Sequence, residues 1–331
     1  MKLLVLTTSY PKDSNDPGGA FVAEMCDALG DAGLGVRVVA MATDRRGALQ
    51  ALQDGRWLRV ARDTARFVRR ARGNEDAVLA HWLVPSALIG LRLGVPVVGV
   101  AHGSDVQVLR RLPLLRSFLA DRMAGLIAVS KEAAQAIRCS PTFVRPMGLL
   151  RRDFVVARPS VGLPLKVLFI GRDVPIKGLE VAVAATRGLR NVHLTVAGCA
   201  GNASHVTWIG HLPPVQRAAV IAAHDLVVVP SVGPEGVPRV IAEAYAAGVP
   251  VLASRIGGIV DWVPGSDLVE AGDVTRWRTE LAVRAERLRM GRPVGELTDV
   301  AALEWGALGP QLAAFLGACT SRWHSDSPRK R

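Results

Sequence analysis

Two glutamates at a fixed interval are the most telling residues of the chain. Glu235 and Glu243 flank Gly236, Val237, Pro238, Arg239 and Val240 within the run Pro230 to Asp261. Pro238 lies where a helix would begin, a position that tolerates a missing N–H. Gly248, followed by Pro250, closes that helix. A helix start offers free N–H groups and the positive end of the helix dipole, and both attract an anion such as a diphosphate. Glu235 then falls in the preceding loop and Glu243 about one and a half turns into the helix. Carboxylates beside an anion site make sense if they accept hydrogen bonds from hydroxyl groups of the same ligand. The plainer alternative has Glu235 capping the helix and Glu243 in solvent.

A second group is cationic. In the run Gly171-Arg172-Asp173-Val174-Pro175-Ile176-Lys177-Gly178, Gly171 ends a strand and Gly178 opens a helix. Arg172 and Lys177 therefore project from a strand's carboxyl end, where open α/β sheets bind ligands. There they would neutralise a diphosphate; the alternative is two ordinary surface cations. A third group is Pro17-Gly18-Gly19, where the backbone can approach a ligand without a Cβ, or simply turn. The fourth is His102-Gly103-Ser104-Asp105 at a strand end. A histidine there can hydrogen-bond a substrate or shuttle a proton, or be structural, as His81 is expected to be.

The elements that must position these residues follow from the hydrophobic pattern. Lys2 to Thr8 is a continuous apolar run, a buried parallel strand. A polar loop, a helix over Ala20 to Asp31 and a strand over Val36 to Ala42 complete the first unit of a doubly wound sheet. Residues 47–73 read as one or two helices. Further strands are expected at Val78 to His81, Val95 to Ala101, Leu126 to Val129 and Phe143 to Pro146. Ser130 should cap the helix after Val129. Ala157 to Pro164 reads as a linker, after which the pattern restarts. Strands at Lys166 to Ile170, Val192 to Ala197, Leu226 to Pro230 and Val249 to Ser254 alternate with helices at Gly178 to Gly188 and Pro238 to Ala247. The reading is α/β: two Rossmann-like domains facing each other across a cleft.

Bulk properties bound the rest. The chain has 331 residues, half of them apolar, and a formal net charge of +12. The basic excess lies mainly in the first half. Nucleic acid, anionic membrane and phosphorylated substrates all fit such a charge. Cys26, Cys139, Cys199 and Cys319 are scattered and read as buried thiols rather than a zinc site or a disulfide framework. The opening residues do not read as a signal peptide, and no apolar run approaches a membrane span. The expected location is the cytoplasm. Six arginines, Arg56, Arg59, Arg62, Arg66, Arg69 and Arg70, recur at helical spacing between Gly55 and Gly73. With Trp57, Val60, Ala61, Ala65 and Val68 they would form an amphipathic helix over Arg56 to Arg72 able to lie on an anionic membrane, or pack on its own domain.

The spacing of Glu235, Glu243, Ala244, Ala246, Gly248, Pro250, Val251, Gly257 and Gly258 resembles the donor-site signature of glycosyltransferase family 4, retaining enzymes of the GT-B fold. Gly171 to Gly178 resembles the G-R-x-x-x-x-K-G element of that family, and the N-terminal wording resembles bacterial exopolysaccharide-type members. The resemblance implies an acceptor-binding domain over 1–156, a nucleotide-sugar domain over 164–303 and a helix over 304–320 that crosses back to the first domain. It implies that Glu243 binds the nucleotide's ribose and Glu235 the donor sugar's hydroxyls. Backbone amides near Val237, Pro238, Arg239 and Val240 would sit by the sugar and phosphates, and Gly18 and Gly19 would approach them too. Arg172 and Lys177 would hold the diphosphate, and His102 would contact the donor sugar, with Asp105 a weaker acceptor-side candidate. The chain departs from the family at Pro146-Met147-Gly148-Leu149-Leu150, where P-N-G and then V-D are usual, and at Arg239.

The implied reaction moves a sugar from a nucleoside diphosphate to an acceptor hydroxyl of a glycan or glycolipid, lipid-linked in related enzymes. No DxD motif lies at the donor site, so no divalent metal and no cofactor beyond the donor substrate is expected. Two rivals remain. A sugar-nucleotide epimerase of the same shape would need no acceptor. A basic nucleic-acid binder would need aromatic interleaving that the basic stretches lack, so no nucleic-acid partner is expected.

Overall fold

The computed structural model describes residues 1–13, 16, 18–41, 65–157, 162–233 and 235–326. Two compact units emerge: Met1–Gly148 together with Trp305–Arg331, and Leu149–Glu304. Leu149 to Val156, read with the first domain in the sequence, belong to the second unit. Leu149 donates its N–H to Leu303 O at 2.8 Å and lies in that unit's core with Leu303.

The first unit holds a six-stranded sheet, β1 (Lys2–Thr7), β2 (Gly35–Ala40), β3 (Ala77–His81), β4 (Val97–Ala101), β5 (Gly125–Ala128) and β6 (Thr142–Val144). Its order is β2-β1-β3-β4-β5-β6, and every pairing is parallel. β3, β4 and β5 are buried along their whole length, as near-continuous Val, Leu and Ala runs covered on both faces should be. The helices are α1 (Ala20–Asp31), α2 (residues 65–71), α3 (Leu83–Gly90), α4 (Ser104–Arg110), α5 (Pro113–Arg122) and α6 (Lys131–Ile137). Ser130 caps α6, accepting the Ala133 N–H at 3.1 Å.

The second unit's sheet comprises β7 (Leu165–Ile170), β8 (Val192–Ala197), β9 (Val206–Gly210), β10 (Leu226–Val229), β11 (Val251–Ser254) and β12 (Leu268–Val269). Its order is β12-β11-β10-β7-β8-β9, again all parallel. Its helices are α7 (Leu179–Thr186), α8 (Arg217–Ala222), α9 (Arg239–Ala246) and α10 (Val274–Arg289). A final helix, α11 (Trp305–Asp326), returns to the first unit. Trp305 Nε1 donates to Glu24 Oε2 at 3.1 Å, and Leu308, Leu312 and Leu316 are buried.

Sheet order locates the sites. In each sheet the chain reverses its direction of progress once, between β1 and β3 in the first and between β7 and β10 in the second. The carboxyl ends of such strands leave a crevice for ligands.

Only the last part of the basic amphipathic segment lies among the described residues. Arg56, Arg59 and Arg62, with Trp57, Val60 and Ala61, lie outside the described residues. In α2 the apolar side faces its own unit: Phe67 and Ala71 are buried in the core and Val68 packs against it. Arg66, Arg69 and Arg70 are exposed. Over residues 65–71 the packing alternative is the one seen, with Ala65 exposed.

Candidate functional site

In the second unit three loops meet at the carboxyl ends of β7, β10 and β11. After β7, residues 171–174 lead into a 3-10 turn over Pro175–Lys177. Gly178 caps α7 with φ 66°. A Cβ at Gly178 would overlap the Pro230 carbonyl oxygen, so only glycine lets the two loops touch. Val232 N–H donates to Ile176 O at 3.0 Å, and Gly258 N–H donates to Glu235 O at 3.0 Å. The switch point thus brings together the Gly171–Gly178 element, the Glu235 loop and the Gly257-Gly258 pair.

Side chains complete this arrangement. Lys177 Nζ donates to Glu235 Oε2 at 2.9 Å. An ammonium has three donors, so this pair leaves two of them for another acceptor. Glu235 Oε1 is buried and has no hydrogen-bond partner. Glu235 is not the N-cap of α9: that position is Pro238, which makes no side-chain cap bond. The helix begins at Arg239 rather than at Pro238, because Pro238 has an extended ψ of 125°. Gly236, Val237 and Pro238, just before the helix, are half-buried, and Arg172 is exposed.

Glu243 is buried rather than solvated. Its Oε2 meets Arg217 Nη2 at 2.5 Å and its Oε1 meets Arg239 Nε at 3.1 Å. Arg239 reaches on to Asp153 at 3.5 Å. This charge cluster was not legible in the sequence, because Arg217 belongs to no motif and lies 26 residues away. The run of apolar residues around Glu243 in α9 was the available signal, since a lone carboxylate buried there must be paired.

In the first unit a second cluster forms at the carboxyl ends of β1, β3 and β4. Gly18 N–H donates to Asp16 Oδ1 at 2.9 Å. Gly19, φ 76°, caps α1 and packs directly against the Ser9 carbonyl, so this turn too depends on a missing Cβ. Pro17 lies outside the described residues. His102 sits among rings: Trp82 at 4.5 Å, His81 at 5.1 Å and Phe21 at 5.2 Å between centroids. His81 Nδ1 and His102 Nε2 are 3.0 Å apart. Trp82 has φ 57°, a backbone strain of the kind found at functional sites. Burial pushes the His102 pKa down to about 3 and holds His81 well below its usual value, with the neighbouring His102 adding to the effect.

Asp105, an acceptor-side candidate in the sequence, organises the loop instead. Its Oδ2 accepts the Leu83 N–H at 3.0 Å. Its Oδ1 accepts those of His102, Gly103 and Val106 at 3.0, 3.0 and 3.1 Å. With both oxygens taken and 4% of the residue exposed, it has no carboxylate face to show a ligand. Among the described residues no group of three or more His, Cys, Asp or Glu could hold a metal ion. No described helix is long and apolar enough to cross a membrane.

Residues 18–141 match the model of Glycosyltransferase Family 4, and residues 164–284 match the model of Glycosyl transferases group 1. A D-inositol 3-phosphate glycosyltransferase of Segniliparus rotundus is 33% identical over 69% of this chain and 64% of its own length. The chain spans only 45% to 64% of the length of this and two other curated relatives. Among solved structures, the sucrose-phosphate synthase of Thermosynechococcus elongatus superimposes with a TM-score of 0.73 at 18% identity, covering 98% of both chains. Anabaena HepE in complex with UDP and glucose gives 0.63 at 19% identity, also over 98% of both. At these identities the structural likeness bears on the fold, which is that of GT-B glycosyltransferases.

Proposed function

The chain belongs to glycosyltransferase family 4, and from that footing we propose that it moves a sugar from a nucleoside diphosphate to an acceptor hydroxyl with retention of configuration. The observation that carries this reading is the Lys177–Glu235 pair. It joins a cation suited to a diphosphate to a carboxylate whose second oxygen is buried and unpartnered. A buried acceptor without a donor costs free energy unless a ligand satisfies it, and a sugar hydroxyl does so. The diphosphate would lie against Arg172, Lys177 and the start of α9.

Charge on the leaving phosphate grows as the glycosidic bond breaks, so cations aimed there act most strongly in the transition state. Glu243 would receive the ribose hydroxyls on lone pairs that Arg217 and Arg239 leave open, since a carboxylate offers about four acceptor sites. Arg172 and Lys177 supply the positive charge, and transfer is proposed to need no divalent metal. His102 would contact the donor sugar. The epimerase alternative gains no support from the relatives.

The test is a thermal-shift screen against UDP-, GDP- and dTDP-sugars, because a ligand that binds the native state raises its apparent stability. A stabilising sugar nucleotide should then transfer its sugar in the presence of EDTA. No shift with any of them would remove the donor site, and transfer only with added magnesium or manganese would overturn the metal-free reading.

For the acceptor we propose a glycan, lipid-linked, met by a cytoplasmic enzyme at an anionic membrane face. What supports it is α5, where Leu114 is 87% exposed and Phe118 40%, beside the exposed Arg111 and Arg122. Basic residues near an anionic surface contribute about 1 kcal/mol each. Co-sedimentation with phosphatidylglycerol vesicles should be lost on Leu114→Ser with Arg111→Gln. Equal sedimentation with neutral vesicles, or none at low salt, would point to a soluble acceptor.

A further inference from the structure

His81 is a buried titratable residue that the proposed reaction does not use. It ends β3, next to β4, and none of its surface is exposed. Its Nδ1 faces His102 Nε2 at 3.0 Å, with the two rings inclined by only 20°. Its other nitrogen, Nε2, is buried without a hydrogen-bond partner. Among the described residues no carboxylate bonds either ring, because both oxygens of the nearby Asp105 are taken by backbone N–H groups. Those same bonds tie the backbone after β3 to the backbone after β4. Phe21 and Trp82 close on the His102 ring from the sides. The histidine pair is therefore fixed in place, and among the described residues neither ring is hydrogen-bonded to a carboxylate.

A neutral pair of this kind has two proton arrangements, since one of the facing nitrogens must donate and the other accept. In the first, His81 Nδ1–H donates, His102 carries its proton on Nδ1, and His81 Nε2 is a bare nitrogen. In the second, His102 Nε2–H donates, His102 Nδ1 is bare, and His81 buries an N–H with no acceptor. Orphaned buried N–H groups are rarer than under-satisfied acceptors, which selects the first arrangement. Burial favours the neutral form of both rings.

We propose that His81 is a positioning residue that holds His102 as its Nδ1–H tautomer, so that His102 offers a hydrogen-bond donor to a substrate oxygen and is not a general base. This rests on the reading of His102 as a contact of the donor sugar. It adds a sign to that contact: His102 recognises an oxygen lone pair. A ligand presenting only a donor at that position, such as an amino sugar's ammonium, is disfavoured because the bare nitrogen it needs is turned toward His81.

The measurement is a long-range proton–nitrogen correlation spectrum of the full chain labelled with 15N-histidine at pH 7. Assignments come from His81→Phe and His102→Phe. Both rings should show a protonated Nδ1 and a bare Nε2. In His81→Asn, whose amide still donates, His102 should keep that tautomer; in His81→Phe it should become a mixture. Donor turnover, read as UDP release from UDP-glucose or GDP release from GDP-mannose, should fall roughly two- to tenfold in His81→Phe, the worth of one neutral hydrogen bond. It should recover in His81→Asn, with donor KM little changed in both. A His102 protonated on Nε2 in the wild type overturns the tautomer assignment whatever the kinetics. The expected tautomer with undiminished turnover in His102→Ala overturns the donor role and the reading it rests on.

Discussion

Glu235 and Glu243 are both carboxylates beyond the carboxyl ends of the second sheet's strands, yet their surroundings differ. Glu235 keeps one oxygen unpartnered, whereas Glu243 is held between Arg217 and Arg239. Glu235→Gln should keep the loop's shape and cut donor turnover by about 10- to 100-fold, because a charged acceptor contributes about 1.5–3 kcal/mol. Affinity for the bare nucleoside diphosphate should stay close to that of the wild type in calorimetry. Glu243→Ala should instead weaken bare diphosphate and sugar nucleotide alike, by about 1.5–3 kcal/mol. Unchanged affinity with an intact fold would leave Glu243 as an ion-pair hub and nothing more. The histidine pair adds a pH dependence. The folded His102 pKa of about 3 lies below the unfolded value near 6.5, so below pH ~6.5 the unfolded chain binds protons that the native state refuses. Stability is therefore full above pH ~6.5 and declines as the pH falls toward 3. A denaturant series from pH 7.5 to 4.5 should show this in the wild type and a shallower decline in His102→Phe.

At the scale of elements, the loops are fixed by backbone contacts as much as by side chains. Gly178→Ala must place a Cβ on the Pro230 carbonyl and force a left-handed φ on a residue that resists it. It should cost more than the ~1–3 kcal/mol of backbone strain alone and abolish binding of the sugar nucleotide, whereas Gly291→Ala, also at positive φ but with nothing near its Cβ, should cost only that strain. Thermal melts of the two variants compare the cases directly. This contact also marks where sequence reading works and where it stops. The bounds of α1 and β8 follow from apolar spacing alone, because their hydrophobic runs are long and cleanly stopped. The Gly171–Gly178 and Glu235–Gly258 loops were legible because their spacing is unusual. The edge strand β9 was not, since only alternate residues of Val206–Gly210 are sheltered and a half-buried edge carries little signal. α10 was missed for a related reason: it is rich in arginine, and its buried Arg284 is neutralised by Asp267 and Glu280. The pairing of His81 with His102 joins neighbouring strands 21 residues apart, a relation that only sheet order reveals.

At the scale of the molecule, the first unit is built from two separate stretches of chain, and the second is a single uninterrupted one. The first unit's core depends on α11. Leu312 is 1% exposed within that helix, so Leu312→Ala should destabilise the first unit by about 2–5 kcal/mol. Hydrogen exchange read by mass spectrometry should then rise across β1 to β6 and stay unchanged across β7 to β12. A uniform rise would instead make the two units a single cooperative block. Trp305, which packs its indole on Gly148 and bonds Glu24, is the residue where the returning chain re-enters the first unit. Synthesis runs in one direction, and domains fold as units while the chain emerges. The inserted half can therefore mature on the ribosome while the half that preceded it still lacks its closing helix. During that interval the surface of α1 awaiting α11 is bare, and it is then that a nascent-chain chaperone would find its target.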